Sequence, residues 1–108
     1  MAGSYFNAVY QLTKQIPKGR VCTYGTIADY LSLGSARMVG WALNKIPIGD
    51  DDIPAHRVVN SKGELSGRNA FLTPDLMQHK LEREGIVVIN NKVQDFKNVI
   101  WYPEIDVD

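Results

Sequence analysis

The sequence predicts a mostly α domain with a small β hairpin, arranged as a winged helix-turn-helix, and three observations predict it. Two short apolar-periodic stretches, 24–31 and 36–44, are joined by a few residues containing Gly34, as in two helices meeting at a tight turn. Ahead of them, a longer stretch repeats apolar residues at i, i+3 and i+4 and stops at Pro17 and Gly19. Behind them, Val58-Val59, the turn formers Asn60 to Gly63, and Glu64-Leu65-Ser66 read as a hairpin standing beside the helix pair as a wing.

In chain order, Tyr5, Phe6, Val9, Leu12, Thr13 and Ile16 fall on one face of a helix that opens near Ser4, whose hydroxyl suits an N-cap. Arg20 to Thr23 is a short extended link, and Thr23 caps a second helix, Tyr24 to Leu31, with Ile27, Ala28 and Leu31 inward. Ser35 caps the third, Ala36 to about Asn44. Its small residues Ala36, Gly40 and Ala42 suit either close packing of two helices or a close approach of this helix to DNA, and Trp41 either packs inward or flanks that DNA. Pro47 to Asp52 is an exposed loop ending in consecutive aspartates that oppose phosphate, and Gly67-Arg68-Asn69 is a flexible loop. A further helix runs from Pro74, at its first position after a Thr73 cap, to Glu84, with Gly85 just beyond. Ile86 to Ile89 is a buried strand, Asn90-Asn91 a turn, and Val93 to Trp101 a returning strand or an irregular cover.

A chain of 108 residues with 44% hydrophobic content matches one domain, 1–108, with a modest core. No apolar run is long enough to span a membrane, and Met1 to Phe6 lacks the basic start and apolar stretch of a signal peptide. A cytoplasmic location, or a nuclear one in a eukaryote, is therefore expected, with no membrane partner. Cys22 is the only cysteine, which excludes an internal disulfide and a multi-thiolate metal site. It reads as a small buried apolar residue, and no cofactor is expected. The formal net charge of +0 argues against gripping nucleic acid by bulk charge alone. Distribution matters more: from Lys14 to Arg68, the cations Lys14, Lys18, Arg20, Arg37, Lys45, Arg57, Lys62 and Arg68 outnumber Asp29, Asp50, Asp51, Asp52 and Glu64, so one face is expected to be basic.

The stretch Ile53-Pro54-Ala55-His56-Arg57-Val58-Val59-Asn60 carries the chemistry. Pro54 fixes its own φ and biases Ile53 toward an extended conformation, so Ala55 and His56 sit on a stiff, non-helical lead into the valine pair. This segment resembles the active-site motif of alkylguanine-DNA alkyltransferases, Ile-Pro-Cys-His-Arg-Val, with Ala55 where that family has its nucleophilic cysteine. The resemblance extends through Ile16-Pro17-Lys18-Gly19-Arg20-Val21, Thr23-Tyr24-Gly25-Thr26-Ile27-Ala28, Ala36-Arg37-Met38-Val39-Gly40, Ser61-Lys62-Gly63 and Glu84-Gly85. Within the family the chain is most similar to the alkyltransferase-like branch, which replaces the reactive cysteine with another residue, often tryptophan.

That resemblance implies the fold of the alkyltransferase DNA-binding domain, whose recognition helix enters the minor groove; here that helix carries Ala36, Arg37, Met38 and Gly40. It implies that Arg37 fills the gap left by a flipped nucleotide, that Tyr24 helps to rotate the nucleotide by crowding its 3′ phosphate, and that Arg68 reaches the flipped base from a pocket loop. His56 and Glu84 match the residues that activate the cysteine for attack on the alkyl carbon. Alanine's methyl has no lone pair, so this former relay has no nucleophile to serve. Tyr24, Ala55, His56 and Arg68 are expected to make the lesion pocket, walled by Val58, Val59 and the Trp101-Tyr102 tail, with Trp101 equally readable as plain core.

The function so implied is non-enzymatic recognition of O6-alkylguanine in double-stranded DNA by nucleotide flipping. The resemblance further implies a monomer that flags the lesion for nucleotide excision repair proteins. Three rivals stand beside it. One is an active transferase or hydrolase with His56 as base. The second is a winged-helix regulator whose affinity follows base sequence rather than damage. The third is a true alkyltransferase domain disabled by an introduced Ala55.

Overall fold

The apolar stripe at the start of the chain becomes α1, Ser4–Lys14, in a computed structural model that describes residues 4–47 and 50–103. Val9, Leu12 and, past the helix end, Ile16 are buried, and the Thr13 hydroxyl donates to the Val9 carbonyl at 2.7 Å, so this buried polar group is satisfied. Ser4 is the first helical residue, and the position before it lies outside the described residues.

β1, Cys22–Thr23, runs straight into α2, Tyr24–Tyr30. Thr23 is the expected cap: its Oγ1 accepts the Thr26 N–H at 3.0 Å. The turn of the helix pair closes when the Leu33 N–H reaches back to the Ala28 carbonyl at 2.8 Å, with Ser32 in the left-handed conformation at φ 56. α3, Ala36–Asn44, follows. Ser35 precedes it in extended conformation but makes no side-chain capping bond, which departs from the expected cap. Two phenols on α1 fix α3 instead: Tyr5 donates to the Met38 carbonyl at 3.0 Å and Tyr10 to the Ala42 carbonyl at 2.7 Å.

The wing is built differently from the expected 58–66 hairpin. β2, Val58–Val59, pairs in parallel with β1, Cys22 opposite Val58 and Thr23 opposite Val59. Both valines are fully buried, one in each core, instead of showing the one-face-in, one-face-out pattern of a surface hairpin. The predicted turn does form. Asn60 Oδ1 accepts the Lys62 and Glu64 N–H groups at 3.0 and 2.8 Å, and Gly63 adopts φ 81. The chain after it pairs elsewhere: Leu65 N–H donates to Asn91, and Glu64 bridges Lys92.

The hairpin of the fold is β3, Val88–Ile89, with β4, Lys92–Val93. Asn90 and Asn91 turn it at φ 53 and 59, the paired positive φ of a type I′ turn that asparagine tolerates. The return strand ends at Val93, and a short helix α5, Phe96–Val99, replaces the longer strand that 93–101 allowed. The fourth long helix, α4, spans Leu76–Arg83, starting two residues later than predicted. The Thr73 hydroxyl bonds the Asp75 carboxylate at 2.7 Å instead of a backbone N–H, so it does not cap. At the other end Gly85, at φ 89, lets the Ile86 N–H reach the Leu81 carbonyl at 3.1 Å.

The β1–β2 ladder divides two cores because successive strand residues face opposite sides. Cys22 and Val58 face a cluster with Val9, Leu12, Ile27, Val39 and Leu43, whereas Val21 and Val59 face one with Leu65, Met77, Leu81 and Ile86. The helix-turn-helix rests on the first core and the C-terminal elements on the second. Among the described residues, no helix is long and apolar enough to cross a membrane.

Candidate functional site

The stiff lead at Ile53-Pro54 becomes a 3₁₀ turn, Ala55–Arg57, that feeds directly into β2 and faces the C-terminal end of α4. There a single carboxylate gathers the chain. His56 Nε2 lies 2.7 Å from Glu84 Oε2. Arg57 forks onto the same group, Nε at 3.0 Å from Oε1 and Nη2 at 2.8 Å from Oε2, and its Nη1 donates to the Ile16 carbonyl at 2.8 Å. The Gly19 N–H adds a bond to Oε1 at 3.1 Å, from a backbone at φ 84 that glycine takes without steric cost. Glu84 therefore binds α4, the 55–57 turn and the α1–β1 link into one knot across the seam between the cores.

Electrostatics follow from that geometry. Burial pushes the Glu84 carboxyl up, but the bonds from Arg57, His56 and Gly19 outweigh it and hold the group at about 2. Burial lowers His56 below its ordinary value against the opposing pull of Glu84, so the ring is neutral near pH 7. An ionised carboxylate only accepts, which assigns the ring proton to Nε2 and leaves the lone pair on Nδ1. The neighbouring side chain at Ala55 is a methyl group with no proton to give up. Sequence reasoning assigns no role to Arg57; the available signal was its position directly after the histidine, since a carboxylate taken out of water needs a permanent cation.

Ala55 and His56 line a cavity of about 290 Å³ whose walls include Leu43, Ile53 and Phe71. Asp51 and Lys80 also line it and are ion-paired to each other, and Lys80 Nζ sits 5.9 Å from the centre of the Phe71 ring. The aspartate loop is thus partly neutralised, because Asp52 pairs with Lys14 at 3.1 Å. Val58 and Val59 belong to the two cores and not to this cavity. Trp101 packs half-buried against the first core, which favours the plain-core reading.

Tyr24, Ala36, Arg37 and Gly40 share a second, open groove of about 580 Å³. A Cβ built on Gly40 would meet nothing within 4 Å, so this glycine is not needed for helix packing. Ala42, by contrast, is fully buried in the first core. Met38 does not line the groove; its sulfur lies toward Gly34 in the turn. Arg37 is exposed and makes no ion pair among the described residues.

Arg68 stands apart from the Ala55–His56 cavity. Its Nη1 donates to the Leu65 carbonyl at 3.0 Å, and it borders a separate depression with Ser66 and Asn91. Tyr24 reaches toward it: the phenol lies so close to Gly67 that a Cβ there would be 2.6 Å from Oη, and it bonds Ser66. Burial pushes that phenol up against the opposing Ser66 bond, so Tyr24 stays a hydroxyl. Of the expected basic face, Lys14 and Arg57 are consumed by carboxylates, and Arg20 Nε by the Val99 carbonyl at 3.0 Å. Cys22 is fully buried, and burial pushes its thiol up to about 11, which leaves it un-ionised.

Residues 4–86 match the family described as 6-O-methylguanine DNA methyltransferase, DNA binding domain. The chain belongs to the alkylguanine-DNA alkyltransferase family. Alkyltransferase-like protein 1 of Schizosaccharomyces pombe is 33% identical over 104 residues, covering 92% of this chain and 95% of that protein. A DNA base-flipping protein of Vibrio parahaemolyticus is 40% identical over 96 residues, covering 88% and 93%. The crystal structure of the S. pombe protein in complex with damaged DNA containing O6-carboxymethylguanine superposes with a TM-score of 0.77 at 30% identity, covering 92% of this chain and 95% of that one. A Mycobacterium tuberculosis O6-methylguanine methyltransferase superposes at 0.64 and 33% identity, covering 75% of this chain and 48% of that one. As an alkyltransferase-family domain, the fold is the helix-turn-helix expected from 24–31 and 36–44, carried by small sheets. His56 and Glu84, the pair that the motif resemblance singles out, are in bonding contact here, while the Tyr24–Arg37 groove and the Arg68 loop are separate surfaces around them.

Proposed function

We propose that this chain recognises O6-alkylguanine in duplex DNA by flipping the nucleotide, without removing the alkyl group, and so marks the lesion for nucleotide excision repair. The observation that carries the reading is Ala55. It stands beside a hydrogen-bonded histidine–glutamate pair, on the wall of a cavity, and offers that pair no nucleophile. Cys22, buried and un-ionised, does not replace it. The relatives named alkyltransferase-like protein and DNA base-flipping protein, and the S. pombe complex with damaged DNA, support the same reading. In it, Arg37 from the open groove takes the vacated position and Tyr24 crowds the phosphate. Arg68 reaches the extruded base only if its loop moves from the Leu65 carbonyl.

The reading is tested by titrating one duplex sequence carrying guanine, O6-methylguanine or a bulkier O6-alkylguanine. The methyl lesion should bind on the order of tenfold more tightly than plain guanine, because a weakened base pair lowers the few kcal/mol that flipping costs. The bulkier adduct should bind at least as well as methyl, since the small Ala55 side chain leaves the 290 Å³ cavity open to it. Equal affinity for all three duplexes would rule out lesion recognition, and affinity that tracks flanking sequence would point to an ordinary regulator. The hand-over to repair should appear as faster incision of the damaged strand by excision proteins when the chain is present.

A further inference from the structure

Trp41 is the largest side chain on α3 and the one apolar residue of that helix left facing water, 52% exposed, while Val39, Ala42 and Leu43 are buried beneath it. It lies four residues after Arg37, so the two side chains emerge one above the other on the same helix face, their Cβ atoms about 6 Å apart. Both line the open groove with Gly40, whose missing side chain leaves the helix surface between them low. No carboxylate is among the described residues that line this groove, although the chain carries as many acidic as basic residues. A face that pairs one unpartnered arginine with an exposed indole, and excludes negative charge, fits a polyanion with apolar walls.

We propose that Trp41 seats in the DNA minor groove one helical turn from Arg37, packing on deoxyribose walls and base edges. There it supplies affinity that depends on neither the lesion nor salt. This rests on the lesion-reading function for the choice of DNA as the occupant, and on the expected minor-groove entry of the recognition helix for the choice of groove. It adds to the hold on a duplex of a chain of formal net charge +0, in which Lys14, Arg20 and Arg57 are spent internally. An apolar wedge in the minor groove complements whatever phosphate contacts the remaining cations make. Arg37 and Trp41 then divide the work, the arginine discriminating damage and the indole holding the duplex in register.

The experiment uses the full chain with Trp101→Phe, which leaves Trp41 as its one tryptophan, titrated with undamaged and O6-methylguanine duplexes while emission is followed. Trp41 emission should shift and quench on saturation with either duplex. In the wild-type background, Trp41→Ala should weaken both duplexes by a similar factor of roughly tenfold, the worth of burying half an indole against DNA. The slope of log affinity against log salt and the damaged-to-undamaged ratio should stay unchanged, and Trp41→Phe should recover part of the loss. Unaltered emission at saturation overturns the proposal, as does a loss confined to the damaged duplex. If the wild type binds both duplexes equally while Trp41 emission still responds, lesion recognition fails and the Trp41 contact stands.

Discussion

Arg37→Ala should weaken binding to an O6-methylguanine duplex by between about tenfold and a hundredfold, or roughly 1.5–3 kcal/mol, while binding to the undamaged duplex falls only severalfold. The difference follows from two roles carried by one side chain. As an exposed cation without an intramolecular ion pair among the described residues, Arg37 is free to reach DNA, and losing one phosphate contact alone would weaken both duplexes equally and reduce the salt slope by about one. As a plug it also fills the space of an extruded nucleotide, a contribution that exists only when the base is out of the stack. Arg37→Lys should restore the charge and the salt slope but not the full discrimination, because an ammonium lacks the planar fork that mimics a base edge. Titrations on the two duplexes at two salt concentrations separate the roles; an equal loss on both would assign Arg37 to the phosphates alone.

Glu84→Gln should cost the fold about 3 kcal/mol or more, because it leaves the Arg57 guanidinium, 16% exposed, and the buried His56 without their shared anion. For a domain of this length that corresponds to a fall in Tm on the order of 10–20 °C. The wild type should also show a defined acid limb. Glu84 is held at about 2, below the value of 4.5 for the free group, so its contribution is complete above pH 4.5 and is lost as pH falls toward 2. His56, lowered by burial, acts in the same direction at higher pH: its stability is complete above 6.5 and begins to fall below it as the unfolded chain takes up the proton. Urea unfolding from pH 7 to pH 2 reads both limbs. Glu84→Gln should flatten the lower one, and an unchanged slope between pH 4.5 and 2 would remove Glu84 from the centre of the knot.

The helix pair was legible in the sequence because its signals are local: Thr23 caps with its own side chain, and Ile27, Ala28, Val39 and Leu43 fall at helical spacing onto one core. The asparagine turn at 90–91 was legible for the same reason. The wing was not, because Val58-Val59 is a two-sided buried pair whose partner, Cys22-Thr23, lies far back in the chain, and no local pattern announces a parallel pairing of that separation. The Ser35 and Thr73 caps were misread because a hydroxyl beside a helix start has other partners open to it, as Thr73 finds in Asp75. At the site, motif resemblance brought His56 and Glu84 together across 28 positions, which spacing alone could not do. It did not reveal that Arg57 completes the pair, or that Arg68 rests against its own loop away from the cavity, since both depend on how side chains resolve their bonds after the backbone is placed.

The proposed function requires a chain that captures the lesion and leaves it intact. The measurement that tests this most directly is mass spectrometry of both components of the complex recovered from a shifted band of O6-methylguanine duplex. The predicted result is a polypeptide of unaltered mass and an oligonucleotide that still carries its methyl group; a polypeptide heavier by a transferred methyl, or a duplex returned to plain guanine, would contradict it.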